Sequence, residues 1–244
     1  MIKVIGVDPA PSKKTTIFDG EKFEYLKFKQ LIEYLNGLKS DEGRVLICWD
    51  SPLSFDVENN SPFTKREIEK FFTRKEFEKT PKGISVNGFS NCPHWAISQY
   101  VIGYPIIQRA GSRMENPFNL VFNLNDINKS ITEVHPAVAI WLWLREDDRS
   151  EVGWRYKRDK SVFKEIVEKL KKKKIINFKI EIKNDDELDA YISWKLGSEW
   201  CNESNQVDIL GNNKTGSFLL PNQKEVFERF TRFMDNIQQT AQDC

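Results

Sequence analysis

Two short runs of aliphatic and β-branched residues each stop at an aspartate: IKVIGVD ends at Asp8 and RVLICWD ends at Asp50. Both are too short for a helix, and both read as buried strands. In open α/β sheets, sites form at the carboxyl ends of strands, where loops converge. An acidic residue at two such ends is therefore the first indication of where chemistry sits. Taken alone, either aspartate is equally an ordinary turn former or helix cap.

The segments around these runs fill out an α/β chain. TTIFDG meets KFEYLKF across Asp19-Gly20, a strong hairpin signal, so the first three strands are expected to be antiparallel neighbours. KQLIEYLNGL places Leu31, Ile32, Leu35 and Leu38 at helical spacing before the fourth strand. From about residue 51 to 118 prolines punctuate two helical stretches, and the region reads as an insertion within one domain spanning 1–244. SITEVHP is expected as the fifth strand, with the apolar helix AVAIWLWL directly after it. An amphipathic helix follows, with Val162, Phe163, Ile166, Val167 and Leu170 on one face, and then the alternating stretch IINFKIEI. NDDELDAYISW opens a further helix. VDILG and SFLLP form a last hairpin, and KEVFERFTRFMDNI a final helix.

The acidic helix start sharpens the reading. Asn184 and Glu187 match a capping box, and acids in a first turn suit the helix dipole, which accounts for Asp185, Asp186 and Glu187. It does not account for Asp189. At 100° per residue, Asp186, Asp189, Ser193 and Gly197 share one narrow stripe whose small members let the helix lie close to a sheet. Glu133, inside the short strand ITEVHP, is a third candidate, because a carboxylate there needs solvent or a partner. Carboxylates that converge repel one another unless a cation neutralises them. Hard divalent ions with oxygen ligands, Mg²⁺ or Mn²⁺, suit such a set, and two of them about 4 Å apart can drive phosphodiester hydrolysis.

GVDPAPSKKT, WDSPLSF, TEVHPAVA, DDELDAYISW and TGSFLLP, in this order, resemble the uncharacterised family of predicted RNase H-like nucleases, domain of unknown function 429. The resemblance spans nearly the whole chain. It implies an RNase H-like fold: a mixed five-stranded sheet, strands one to three antiparallel, flanked by helices, with the helical insertion after strand four and the C-terminal hairpin. Asp8, Asp50 and the Asp186-x-x-Asp189-Ala190 pattern also look like the metal-binding acidic set of Holliday-junction resolvases. Glu133 matches the E-x-x-P motif of the uncharacterised family. The implied activity is metal-dependent cleavage of DNA or RNA, with Asp8, Asp50, Glu133, Asp186 and Asp189 catalytic and with Asp8, Asp50 and Asp189 as the metal ligands.

Other residues have two readings. Lys13 and Lys14 can touch a phosphate backbone or simply be solvated; Ser51 and Ser54 can orient substrate or cap a turn; His135 can carry a proton or be structural. Cys92-Pro93-His94 lacks a second ligand pair for zinc, and Lys171 to Lys174 suit a helix C-terminus. Arg66, Arg74, Arg109 and Arg113 can wall a substrate groove, while Trp95, Tyr100 and Tyr104 suit a small core of the insertion.

The formal net charge of +1 gives no sign of binding nucleic acid by bulk charge, and leaves open an inactive RNase H-like module that binds nucleic acid or protein. Pro9 after Asp8 argues against the glycine-bearing phosphate loop of actin-like and sugar kinases. Ala10 stands where a dehalogenase-type phosphatase needs an aspartate. The four cysteines form no C-x-x-C pair, MIKVIGVD lacks signal-peptide features, and no run reaches membrane-span length. The expectation is a cytoplasmic protein with reduced thiols and no membrane contact.

Overall fold

The computed structural model describes residues 1–10, 12–54, 65–73, 95–102, 114, 116–144 and 156–242. Its first half runs β1 (Ile2–Asp8), β2 (Thr15–Phe18), β3 (Phe23–Leu26), α1 (Phe28–Ser40), β4 (Arg44–Trp49), α2 (Glu67–Phe72) and α3 (Trp95–Ile102). The second half runs β5 (Asn119–Leu120), β6 (Lys129–Glu133), α4 (Pro136–Leu144), α5 (Lys160–Lys172), α6 (Asp185–Cys201), β7 (Val207–Asn212), β8 (Gly216–Pro221) and α7 (Lys224–Gln242). No helix among the described residues is long and apolar enough to cross a membrane.

One mixed sheet has the order β3-β2-β1-β4-β6-β5, and β7 pairs with β8 in a separate hairpin. As expected, the first three strands are antiparallel neighbours, whereas β1, β4, β6 and β5 run parallel. The sheet has six strands where five were expected. The extra one is β5, a two-residue edge strand too short to leave a periodic signal. The C-terminal hairpin joins the end of β6 through a parallel bridge between Val134 and Leu219. IINFKIEI forms no strand. It is an irregular connection in which the Asn177 backbone donates to the Tyr191 hydroxyl at 3.0 Å and Phe178 is exposed.

The unbroken apolar runs are explained by burial of both sheet faces. Ile5, Val7, Ile47, Trp49 and Ile131 pack with Leu31, Leu35 and Leu38 of α1 and with Ile97 and Val101 of α3. Val4, Leu46 and Cys48 point the other way, toward α6, α4 and the hairpin. Helix α6 is buried along most of its length, with Glu187 and Asp189 among its buried residues.

Two glycines set the distance between α6 and the sheet. A Cβ on Gly197 would lie 2.3 Å from Cys48 Sγ and 2.8 Å from Val4 Cγ1. One on Gly6 would lie 2.1 Å from the Ala190 carbonyl oxygen and 2.4 Å from the Trp194 nitrogen. The small-residue stripe of α6 therefore does lie against the sheet. Overpacking of this kind typically costs about 1–3 kcal/mol, so Gly197→Ala should lose stability of that order in urea denaturation. Gly6→Ala should lose more, because backbone atoms cannot rotate aside. Gly37 of α1 has nothing within 4 Å of an added Cβ; Gly37→Ala should instead gain about 0.5–1 kcal/mol from helix propensity.

Candidate metal centre

Asp8 ends β1, and the Asp50 backbone continues the β1-β4 ladder by donating to the Val7 carbonyl at 3.0 Å. The two acids thus leave adjacent parallel strands at the same level. The pleat sends residues 4, 6 and 8 of β1, and 46, 48 and 50 at β4, toward α6. From α6, Asp189 enters the space between them. Asp8, Asp50 and Asp189 each offer a carboxylate oxygen, and these three oxygens lie within 4.8 Å of one another. Asp8 and Asp50 are partly exposed, and Asp189 is buried.

Glu133 is placed elsewhere. It is the register partner of Trp49, so the pleat sends it to the face opposite Asp50. There it is fully buried in an ion knot. Arg66 Nη1 donates to Glu133 Oε2 at 2.8 Å, its Nη2 pairs with Oε1, and Arg66 Nε donates to Glu69 Oε1 at 2.7 Å. The Leu53 backbone donates to Glu133 Oε2 at 2.9 Å, and the Ser54 carbonyl accepts from Arg66 Nη1 at 2.8 Å. Arg66 is therefore fully buried where the β4 exit, the end of β6 and β8 meet, and does not wall a groove. Arg74, Arg109, Arg113, Tyr104, Cys92 and His94 lie outside the described residues.

The remaining candidates are dispersed. Asp186 sits at the rim, 3.5 Å from the Lys13 ammonium, and Lys14 is exposed. Ser51 is buried and accepts from the Ser98 hydroxyl at 3.0 Å, while Ser98 accepts from the Trp49 indole at 2.9 Å. That relay ties the β4 exit to α3. His135 packs edge-on against Phe218 at 5.2 Å between ring centroids. Asn184 caps α6, accepting from the Glu187 backbone at 2.9 Å. Glu187 in turn accepts from the Lys183 backbone N–H at 2.7 Å, one residue before the box expected from sequence. Its other oxygen accepts from Tyr25 of β3.

Two residues that the sequence reading passed over complete the centre. Tyr156 donates its hydroxyl to Asp189 Oδ1 at 2.7 Å, and the Lys157 ammonium lies 2.6 Å from Asp189 Oδ2. Both belong to the turn before α5, whose start is capped by Asp159. The Lys157 side chain keeps 51% of its surface exposed, so it stands at the mouth of the cluster. The only sequence signal is an aromatic-basic cluster, WRYKRDK, in a stretch with no periodicity.

The electrostatics follow from crowding. Burial pushes Asp50 up to about 8, and Asp189 adds to the rise while Lys157 opposes it. Asp8 is held well above the carboxylate range by burial, then by Asp189 and Asp50. Asp189 is raised by burial against the pull of Lys157 and the Tyr156 hydrogen bond. Three hard oxygen donors in one place fit Mg²⁺ or Mn²⁺. Comparison of the chain with family models, curated proteins and solved structures returned no match.

All three aspartates bind protons more tightly in the folded protein than in the unfolded chain, where aspartate titrates near about 3.9. Their stabilising contribution is complete below that value and is lost as pH rises through the folded values, up to about 8 for Asp50. In chelator, the melting temperature should therefore fall between about pH 5 and pH 8. Asp50→Asn should flatten that slope and raise the midpoint at the alkaline end; an unchanged profile would contradict the crowding. Arg66→Ala strands the Glu133 and Glu69 carboxylates in the interior and should cost about 3–5 kcal/mol by denaturant titration.

Proposed function

We propose that this chain is a divalent-metal-dependent nuclease of the RNase H-like class, hydrolysing phosphodiester bonds of DNA or RNA. The observation that carries the reading is the convergence of Asp8, Asp50 and Asp189 at the carboxyl ends of two adjacent parallel strands. The mixed sheet with its first three strands antiparallel supports the RNase H-like assignment, as do the motifs around Asp8, Asp50 and Asp189.

Asp8 and Asp50 would hold the ion from the sheet, and Asp189 would close the set from α6, its carboxylate oriented by Tyr156. When bound, the ion supplies Lewis-acid activation of a water and neutralises charge developing on the leaving oxygen. Asp189 lies beneath the two strand ends and is screened from solvent, so the field of the site is not dissipated by water on that side. Lys13 and Lys14, following Asp8 on the exposed connection to β2, stand where a phosphate backbone approaches, and Asp186 holds Lys13 near that rim. Glu133 contributes through structure, since Arg66 and the Leu53 backbone occupy both of its oxygens.

The test is a cleavage panel of single-stranded, duplex, hybrid and branched substrates with Mg²⁺ or Mn²⁺. Removing an outer partner of a metal site typically costs 10–100-fold, so Asp8→Asn, which removes a ligand, should cost more than about 100-fold. Equal traces from wild type and Asp8→Asn on every substrate would sink the proposal. Salt-sensitive binding that survives loss of Asp189, without cleavage, would instead identify a binding module.

A further inference from the structure

We infer that the Lys157 ammonium is a built-in second cation, so that the aspartate site takes one divalent ion instead of two. This deepens the metal-dependent reading above and rests on it. A pair of catalytic ions stands about 3.5–4 Å apart and needs carboxylates shared between them. Here the buried Asp189 accepts on Oδ1 from the Tyr156 hydroxyl at 2.7 Å and faces the Lys157 ammonium from Oδ2 at 2.6 Å, so each oxygen keeps at most one lone pair for an ion. A second ion at that carboxylate would meet the positive charge already standing at Oδ2. The oxygens of Asp8 and Asp50, with one edge of Asp189 and waters, suffice for one six-coordinate ion.

Charge balance points the same way. Three ionised aspartates and one ammonium leave two negative charges, which one divalent ion neutralises. Two ions would leave the site with two positive charges before substrate arrives. Among the neighbouring acids, Asp186 is paired with Lys13, while the Arg66 knot with Glu133 and Glu69 keeps one net negative charge held on its own hydrogen bonds. Lys157 reaches the site from a side chain half exposed at its mouth, so it faces incoming substrate as well as Asp189. On this reading the lysine supplies the positive charge on the substrate side that a second ion would otherwise supply.

The experiment is Mn²⁺ binding to the intact chain, followed by calorimetry and by electron paramagnetic resonance. Wild type should bind one ion, with the hyperfine pattern of an isolated Mn²⁺ at saturation. Lys157→Met should bind two, a doubling of stoichiometry, and Lys157→Arg should stay at one. Two ions in wild type, or the spectrum of a coupled pair, overturn the inference without any variant. A folded Lys157→Met that still takes one ion overturns it as well. These outcomes leave the metal site itself standing, whereas a wild type that takes up no ion, like Asp8→Asn, removes the metal-dependent reading and this inference together.

Discussion

Helix α6 and strand β1 approach each other at a separation that side chains on the contact face would forbid, and both partners supply a glycine where they meet. Gly6 lies under the Ala190 carbonyl, and Gly197 faces Cys48 and Val4 one strand over. Ser193, on the same stripe, turns its hydroxyl back to the Asp189 carbonyl at 2.8 Å and so presents no unsatisfied polar group to the sheet. This contact fixes both the height and the rotation of α6. A helix turns 100° per residue, so the rotation that buries Gly197 also decides that Asp189 points between Asp8 and Asp50. The packing of the core and the geometry of the acidic centre are one constraint seen from two ends.

Buried charge is handled in two opposite ways near the end of β4. In the knot, Arg66 is held by Glu133 and Glu69, and the surrounding backbone completes the hydrogen bonding. In the aspartate cluster, three carboxylates face one ammonium and one hydroxyl, and burial followed by the repulsion from Asp189 pushes the Asp50 carboxyl up to about 8. An under-neutralised cluster stores unfavourable energy that a bound cation would relieve, so the feature that weakens the fold is the one the proposed metal site draws on. The two arrangements lie within a few residues of each other at the end of β4, separated by the pleat.

Much of this was legible from residue order. Strand ends at Asp8 and Asp50, the Asp19-Gly20 hairpin, the face of α5 and the small stripe of α6 all express local periodicity or turn chemistry, which a single sequence carries. What escaped depends on partners distant in the chain. Glu133 looked like a site acid because its partner, Arg66, stands 67 residues away in an irregular region. Tyr156 and Lys157 reach Asp189 from a turn, where no period marks which side chains face inward. Asp186 shares the stripe with Asp189 but starts a turn earlier, which carries it to the rim beside Lys13. The alternation of IINFKIEI reflected Ile176 and Ile182 reaching the core from an irregular connection, not a ladder.

The ion knot also bears on how such a chain can change over generations. Arg66, Glu69 and Glu133 are all fully enclosed, so losing the one guanidinium strands two carboxylates that water cannot reach, whereas losing either carboxylate leaves a matched pair. Arg66 is therefore the member that cannot be given up singly, and it ties the insertion, the β4 exit and β6 together as one heritable unit.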